Sequence, residues 1–174
     1  MKKTFIAFTS VVLFCLSTPL LAQKSKDSIV FKKNAVFYEL AGSGGRHSIN
    51  YERSFVIKQS KFTGSVRGGL SLSNYRDFDG NFNPDFTLPL MANLMYGAKH
   101  RGEIGVGQTL SSIVEGNTNT GDPKRGNHFN TTFNIGYRYQ RQNGGPMVRV
   151  GYTPVINFRG EYKHWFGASI GFTF

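Results

Sequence analysis

The chain has 174 residues, a single cysteine and a formal net charge of +11, from 21 Lys and Arg against 10 Asp and Glu. A single cysteine excludes a disulfide framework, and charged residues form only 18% of the chain, against about 25% in soluble domains. Low charge, 21 glycines and 14% aromatic residues favour one β domain whose outer surface does not face water.

The first 22 residues predict a secretory signal peptide, residues 1–22. Lys2 and Lys3 precede an uncharged, mainly apolar segment over residues 4–18, and Ala22 offers a small residue for cleavage. A retained membrane helix is the alternative, but a membrane span requires about 20 apolar residues. Cys15 lies inside this segment, so cleavage would leave a chain without any thiol.

The remaining chain is still basic, because removal of Lys2 and Lys3 leaves a net charge of +9. A basic chain can bind nucleic acid or an anionic membrane surface. Here the basic residues are scattered and follow an export signal, so we expect outer-membrane lipid or lipopolysaccharide as the partner and no nucleic acid. We predict a short basic periplasmic leader over residues 23–34 and one β-barrel domain over residues 35–174.

Beyond the signal segment, apolar and polar residues alternate with a period of two, which is typical of strands. Most of the alternating segments are close to the 9–11 residues that a tilted strand needs to cross a bilayer. The eight predicted strands cover residues 35–42, 47–57, 62–73, 87–97, 102–114, 129–141, 147–158 and 165–174. The pattern therefore predicts an all-β fold.

The connections between these strands alternate in length. The second, fourth and sixth are compact, whereas the third, 74–86, and the fifth, 115–128, are long and polar. Short turns on one side, longer loops on the other and an even number of strands are typical of outer-membrane barrels. We therefore predict an eight-stranded, antiparallel, up-and-down transmembrane β-barrel in the cell outer membrane, with both termini periplasmic.

The two faces of each predicted strand differ in chemistry. One face is apolar, as in Ile49, Tyr51 and Phe55, and the opposite face is mostly Gly, Ser, Thr and Asn. A soluble ligand-binding barrel is the alternative, but such a barrel keeps its apolar face inside and displays many charges outside. Small polar residues fit a narrow lumen, and the apolar residues fit surrounding lipid.

The apolar face includes the C-terminal aromatic residues and one charge. Phe174 is predicted to lie in the periplasmic aromatic girdle. Arg53 has the same parity as Tyr51 and Phe55. Two explanations stay open, because the side chain can reach the headgroups from the periplasmic end of its strand, or a bulge can shift its register.

Several stretches resemble a known family. FYELAGSGGRHSINYERSF (37–55), LPLMANLMYG (88–97), GEIGVGQTL (102–110) and VRVGYTPVI (148–156), with the terminal phenylalanine, are similar to small outer-membrane β-barrel proteins of Bacteroidota. These share the plan of the OmpA/OmpX/Ail-type eight-stranded barrels. The resemblance implies outer-membrane residence and insertion by the barrel-assembly machinery, with Phe172 and Phe174 as the C-terminal assembly signal. It implies no catalytic residues, because a fold does not define an activity.

Six charged residues have the parity of the polar face and are predicted to lie in the lumen: Glu39, Glu52, Arg67, Glu103, Arg138 and Arg149. Each needs a partner of opposite sign, because an unpaired buried charge is costly. Side chains just fill the interior of an eight-stranded barrel. The equal number of both signs favours a salt-bridge plug that closes the lumen, and the alternative is an ion path whose pairs exchange.

The sequence does not support a catalytic or metal site. His47 and Ser48 are adjacent on a strand and point to opposite faces, whereas a nucleophile and its base must meet within hydrogen-bond reach. The histidines lack recognisable metal-ligand spacing. The Asp-x-Asp-Gly segment beginning at Asp77 is similar to a calcium loop but lacks the required Glu. We predict no enzyme, no cofactor and no metal.

The long loops are the remaining candidates for function. Loop 74–86 carries Tyr75, Phe78 and Phe82, a candidate contact surface for a partner or glycan, and loop 115–128 has almost no apolar residue. The predicted function is non-enzymatic, in membrane structure or surface interaction through these loops, by a monomer. The alternatives are a narrow, porin-like passive channel and, third, an outer-leaflet lipid-modifying enzyme.

Overall fold

The computed structural model describes residues 31–57, 61–116, 123–157 and 160–174. The predicted signal peptide and most of the predicted leader lie outside these residues. The strands are β1 (Asn34–Ala41), β2 (His47–Val56), β3 (Phe62–Ser73), β4 (Asp85–Tyr96), β5 (His100–Gly116), β6 (Pro123–Gln140), β7 (Gly145–Tyr152), β8 (Val155–Asn157), β9 (Tyr162–Lys163) and β10 (Phe166–Thr173). A short 3₁₀ helix, Gly42–Gly44, follows β1. The described part of the chain contains no helix long and apolar enough to cross a membrane.

The strands form one closed antiparallel barrel. Consecutive strands pair from β1 to β7, and β10 pairs with β7 on one edge and with β1 on the other. Closure leaves no unpaired edge, which is the property that a barrel needs in hydrocarbon. The predicted all-β, antiparallel barrel is therefore confirmed.

The count of eight strands is confirmed once β7 with β8, and β9 with β10, are each taken as one strand of the wall. The register against β6 is continuous across the first interruption, since Tyr152 pairs with Ile135 and Val155 with Thr132. Pro154 causes the break because it has no backbone N–H to donate. Its carbonyl still accepts a hydrogen bond from the Phe133 N–H at 3.0 Å.

The two ends of the barrel differ. The end that carries the connections after β1, β3, β5 and β8 is called the loop side, and the end with the three short turns and residues 31–33 is called the turn side. The connection between β3 and β4 is 74–84. Both described ends of the chain meet at the turn side, where the Asn34 N–H donates to the Phe174 carbonyl at 3.1 Å.

The predicted loop 115–128 is wrong for most of its length. β5 continues to Gly116 and β6 begins at Pro123, and these two residues pair with each other. Residues 117–122 lie outside the described residues. The segment is polar because the hairpin extends beyond the apolar belt, and its two strands satisfy their backbone groups by pairing with one another. The polar residues of this segment therefore reflect contact with water, and they did not indicate an irregular backbone.

Burial alternates along the strands in the predicted sense. In β2, Ser48, Asn50, Glu52 and Ser54 are buried while Ile49, Tyr51 and Phe55 are exposed. Arg53 pairs in regular register with Asn34 and Val66 and is exposed. No bulge occurs there, so Arg53 points outward from the turn-side half of its strand. The outer surface is apolar and the lumen is polar.

Candidate functional site

The lumen contains all six of the charged residues singled out from the sequence, one on each of six strands. They are Glu39 on β1, Glu52 on β2, Arg67 on β3, Glu103 on β5, Arg138 on β6 and Arg149 on β7. Each is at least 97% buried. Residues so far apart along the chain meet because the alternating pattern points every one of them inward.

Glu39 is the acceptor at the loop side of this network. Arg67 Nη1 donates to Glu39 Oε1 at 3.2 Å, and Arg149 Nη2 donates to the same oxygen. The second carboxylate oxygen accepts from the Ser43 hydroxyl at 3.3 Å. Two guanidinium groups and a hydroxyl therefore compensate one buried carboxylate.

Arg138 is the corresponding donor toward the turn side. Its Nη2 lies 2.8 Å from Glu52 Oε2, and its Nη1 also contacts the Glu52 carboxylate. Gln140 Oε1 accepts from Arg138 Nη1 at 3.3 Å. This two-pronged contact is the geometry in which Arg binds a carboxylate most strongly.

Glu103 joins the two halves. Its Oε2 lies 2.8 Å from Arg138 Nε, and its Oε1 lies 3.2 Å from Arg149 Nη1. Asn134 Nδ2 also donates to Oε1 at 2.8 Å. The six charges thus form one connected network. Breaking a buried pair of this kind typically costs about 3–5 kcal/mol because the remaining charge loses its compensation.

Phe37 completes the network and was missed by the sequence analysis. It is buried in the lumen, with the Arg67 guanidinium 5.7 Å and the Arg149 guanidinium 5.3 Å from its ring centroid. A cation over an aromatic face is attracted by the ring quadrupole. The signal was available, because Phe37 has the inward parity of Glu39, but the inward face was described only by its small residues.

Arg101 was also missed, because the residues 98–101 were read as a turn. β5 begins at His100, and Arg101 has the inward parity of Glu103. Its side chain is buried, its Nε donates to the Ala98 carbonyl at 2.8 Å, and its guanidinium lies 5.1 Å from the Phe31 ring centroid. Arg101 is thus a fourth arginine of the described lumen, and Asp85, buried with inward parity at the loop-side end of β4, is a fourth acidic residue beside the three glutamates.

The 3₁₀ turn Gly42–Gly44 covers the network from the loop side. The Thr109 hydroxyl donates to the Ser43 carbonyl at 2.9 Å, which holds the turn inside the mouth. Gly42 has φ +80°, and a Cβ there would lie 2.6 Å from Glu39 Cδ. A Cβ on Gly44 would lie 2.4 Å from Ser48 Oγ. These glycines allow the backbone to approach the buried carboxylate closely.

The loop 74–84 presents its three aromatic side chains to the outside. Tyr75, Phe78 and Phe82 are 53%, 70% and 79% exposed. The loop has internal order, because Asp77 Oδ1 accepts hydrogen bonds from the backbone N–H groups of Asp79 at 3.1 Å and Asn81 at 2.8 Å. The aromatic rings are therefore carried by a defined turn.

Arg125 on the β5–β6 hairpin attaches this loop to the barrel. Its Nη2 donates to the Pro84 carbonyl at 3.1 Å and also contacts the Asn83 side chain. Asp85 provides a second attachment, since it accepts from the Asn74 side chain and from the Val114 N–H, both at 2.7 Å. The hairpin and the loop thus form one surface at the loop side.

The described histidines contact tyrosine or glutamate side chains on the outside of the barrel. His100 Nδ1 lies 2.5 Å from the Tyr137 hydroxyl, and His164 Nδ1 lies 2.6 Å from the Tyr152 hydroxyl. His128 forms an exposed pair with Glu115, while His47 stacks on Tyr38. Within the described ranges, no group of three or more His, Cys, Asp or Glu side chains is placed to hold a metal ion.

The comparison with solved structures identifies one fold relative. The chain is similar to the crystal structure of the N-terminal β-barrel domain of Pseudomonas aeruginosa OprF, with a TM-score of 0.55 and 12% sequence identity. The match covers 85% of this chain and 100% of that domain. No protein-family model and no curated protein sequence matches the chain. At this identity the likeness concerns the fold alone, and the chain shares the β-barrel fold of that domain.

Proposed function

We propose that the protein is a non-enzymatic outer-membrane β-barrel of Bacteroidota type, with a closed lumen and a contact surface at the loop side. The observation that carries the proposal is the reversed polarity of the barrel. Outward residues such as Ile49, Ile135 and Ile170 are 61–66% exposed, while eight charged residues of the described strands are buried. A wall with this distribution is stable where hydrocarbon surrounds it.

Labelling of single cysteines in intact cells tests the location and the orientation. In a Cys15→Ser background, Asp79→Cys on the loop side should react with a membrane-impermeant maleimide. Asn143→Cys on the turn side should react only after the outer membrane is opened, because both termini and short turns are proposed to be periplasmic. Equal labelling of both variants in intact cells, or recovery of the protein in the soluble fraction, would contradict the proposed membrane topology.

The closed lumen is supported by the density of ion pairs, by the buried methionines and by the 3₁₀ turn at the loop-side mouth. Methionines 91, 95 and 147 are buried inside together with the charged network, and Gly42–Gly44 fills the loop-side mouth. A role in membrane structure needs no open path. In a planar bilayer, refolded wild-type protein should be electrically silent.

The alternative is a narrow channel, and the position of Glu103 favours it as the second candidate. Glu103 is shared by Arg138 and Arg149, so exchange of partners around it offers a way to open the path. Steady conductance of the wild type, with a size or selectivity that changes in Glu103→Gln, would make the lumen the functional site and remove the proposal of a plug.

The contact surface is the aromatic group on loop 74–84 together with the adjoining hairpin. Its three rings are held outward by a turn that is itself attached to the wall, so a partner or glycan meets a preformed surface. A glycan array with refolded protein in nanodiscs is the direct test. Replacing Tyr75, Phe78 and Phe82 by alanine should abolish binding, whereas Asp79→Asn, at the same loop tip, should preserve it.

A further inference from the structure

We propose that the turn-side mouth, built around Arg101, is a binding site for a phosphate oxyanion. Arg101 is buried, and its Nη1 atom has no hydrogen-bond partner among the described residues. A buried guanidinium N–H without an acceptor is costly. The group that an orphaned donor of this kind requires is an acceptor, and a doubly or singly charged oxyanion is the strongest acceptor for Arg.

The surrounding charges favour an anion over water alone. Arg138 pairs directly with both Arg101 and Arg149 across neighbouring strands, so three arginines stand side by side in the lumen. Like charges placed directly opposite one another destabilise a sheet. The glutamates are engaged by Arg67, Arg138 and Arg149, and none forms an ion pair with Arg101 within the described residues. Arg101 is therefore a buried cation at this end that has no carboxylate in direct contact.

Space for the anion is present in a cleft that the Arg101 side chain lines. A cleft of about 400 Å³ lies at the turn side, lined by Phe31, Lys61, Thr63, Tyr96, Arg101 and Gln142 among others. Thr63 and Arg101 point inward, whereas Tyr96 points outward. The cleft therefore opens where the wall of the barrel ends, at the level expected for the headgroups of the inner leaflet.

The rim around this cleft is basic. Within the described residues, the exposed charged side chains of the turn side are all Lys or Arg: Lys32, Lys33, Arg53, Lys61, Lys99 and Arg141. The described acidic residues lie either in the lumen or on the loop side, where they mix with basic ones. A one-sign rim raises the local concentration of anions, and Lys61 adds a second cation to the cleft itself.

The source of the phosphate is either a phospholipid headgroup or free phosphate, and the same chemistry recognises both. The lipid source depends on the membrane location proposed above, whereas the oxyanion site does not. Binding measured in detergent separates the two, because a site that binds phosphate there stands even if the protein proves not to reside in the membrane.

The test is the affinity of full-length refolded protein in non-ionic detergent for three probes: dihexanoyl phosphatidylglycerol, dihexanoyl phosphatidylcholine and inorganic phosphate. Arg101→Gln should weaken binding of phosphatidylglycerol by about tenfold or more, because a charge-assisted hydrogen bond is lost. Arg53→Gln is the matched control, since it removes the same charge from the same end but outside the cleft, and it should change the affinity by less than about twofold.

Each outcome decides the proposal. Selective, Arg101-dependent binding of phosphatidylglycerol identifies a headgroup site, and Arg101-dependent binding of inorganic phosphate identifies a site for a free oxyanion. No binding of any probe, or equal losses in Arg101→Gln and Arg53→Gln, would overturn it. Lys61→Gln changes an exposed residue of the cleft, so we expect it to leave the fold intact. It should weaken the same probe by about threefold, and an unchanged affinity would place the anion outside the cleft.

Discussion

Arg138 and Arg101 are direct neighbours across β5 and β6, and both are buried, yet their surroundings differ. Arg138 is held by the carboxylates of Glu52 and Glu103. Arg101, its direct partner in the register of β5 and β6, contacts a backbone carbonyl and a phenylalanine ring instead. The difference shows that the lumen is not uniform. In its middle every charged side chain has a partner of opposite sign, a closed set of ion pairs, whereas its turn-side mouth has a guanidinium donor without an acceptor.

The largest effect is expected where the closed set is broken. Arg138→Gln should lower the free energy of unfolding by about 3–5 kcal/mol, because Glu52 loses its two-pronged partner and stays buried. Urea titration of the protein in lipid vesicles measures this change.

Glu115→Gln is the matched control for that experiment. It removes a charge from an exposed pair with His128, so its cost should stay below about 1 kcal/mol. Equal costs for Arg138→Gln and Glu115→Gln would mean that water reaches the lumen and screens the network.

The fold was predictable because alternation with period two is a local property of each segment. Ile49, Tyr51 and Phe55 against Ser48, Asn50 and Glu52 define a face without any knowledge of the neighbouring strands. The alternating loop lengths then predicted a closed, even-numbered barrel. The same local parity predicted which charges point inward.

The ion-pair partners could not be predicted, because they depend on the register around the whole barrel. That Glu103 would join Arg138 to Arg149, or that Glu52 would meet Arg138 across the lumen, follows from the stagger and tilt of the strands. Arg101 was not predicted to lie in the lumen because the predicted strand began at residue 102, whereas β5 begins at His100. The pairing of β5 and β6 as far as Gly116 was not predicted, because two strands can satisfy their backbone hydrogen bonds with each other without any apolar residues.

A second comparison concerns the two phenylalanines that lie against arginines. Phe37 is buried between two of them, Arg67 and Arg149, while Phe31 is half-buried against Arg101 alone. Phe37→Leu should cost about 2 kcal/mol in unfolding free energy, because a desolvated cation–π contact is lost twice. Phe31→Leu should cost less than about 1 kcal/mol. A larger cost for Phe31→Leu would show that the turn-side mouth is as tightly packed as the middle.

The smallest effect is expected at Arg101 itself, and its sign sharpens the first comparison. Arg101→Gln removes a hydrogen bond to the Ala98 carbonyl and a ring contact, and it also removes the repulsion from Arg138. These terms oppose one another and no carboxylate loses a partner, so the free energy of unfolding should change by less than about 1 kcal/mol. The measurement is the same urea titration, in phosphate-free buffer.

A loss as large as that of Arg138→Gln would mean that Arg101 compensates one of the glutamates, and the mouth would then belong to the closed set. Phosphate is then added to both proteins. If it stabilises the wild type and not Arg101→Gln, the mouth is a site completed by a ligand, because a ligand that binds only the folded state stabilises it.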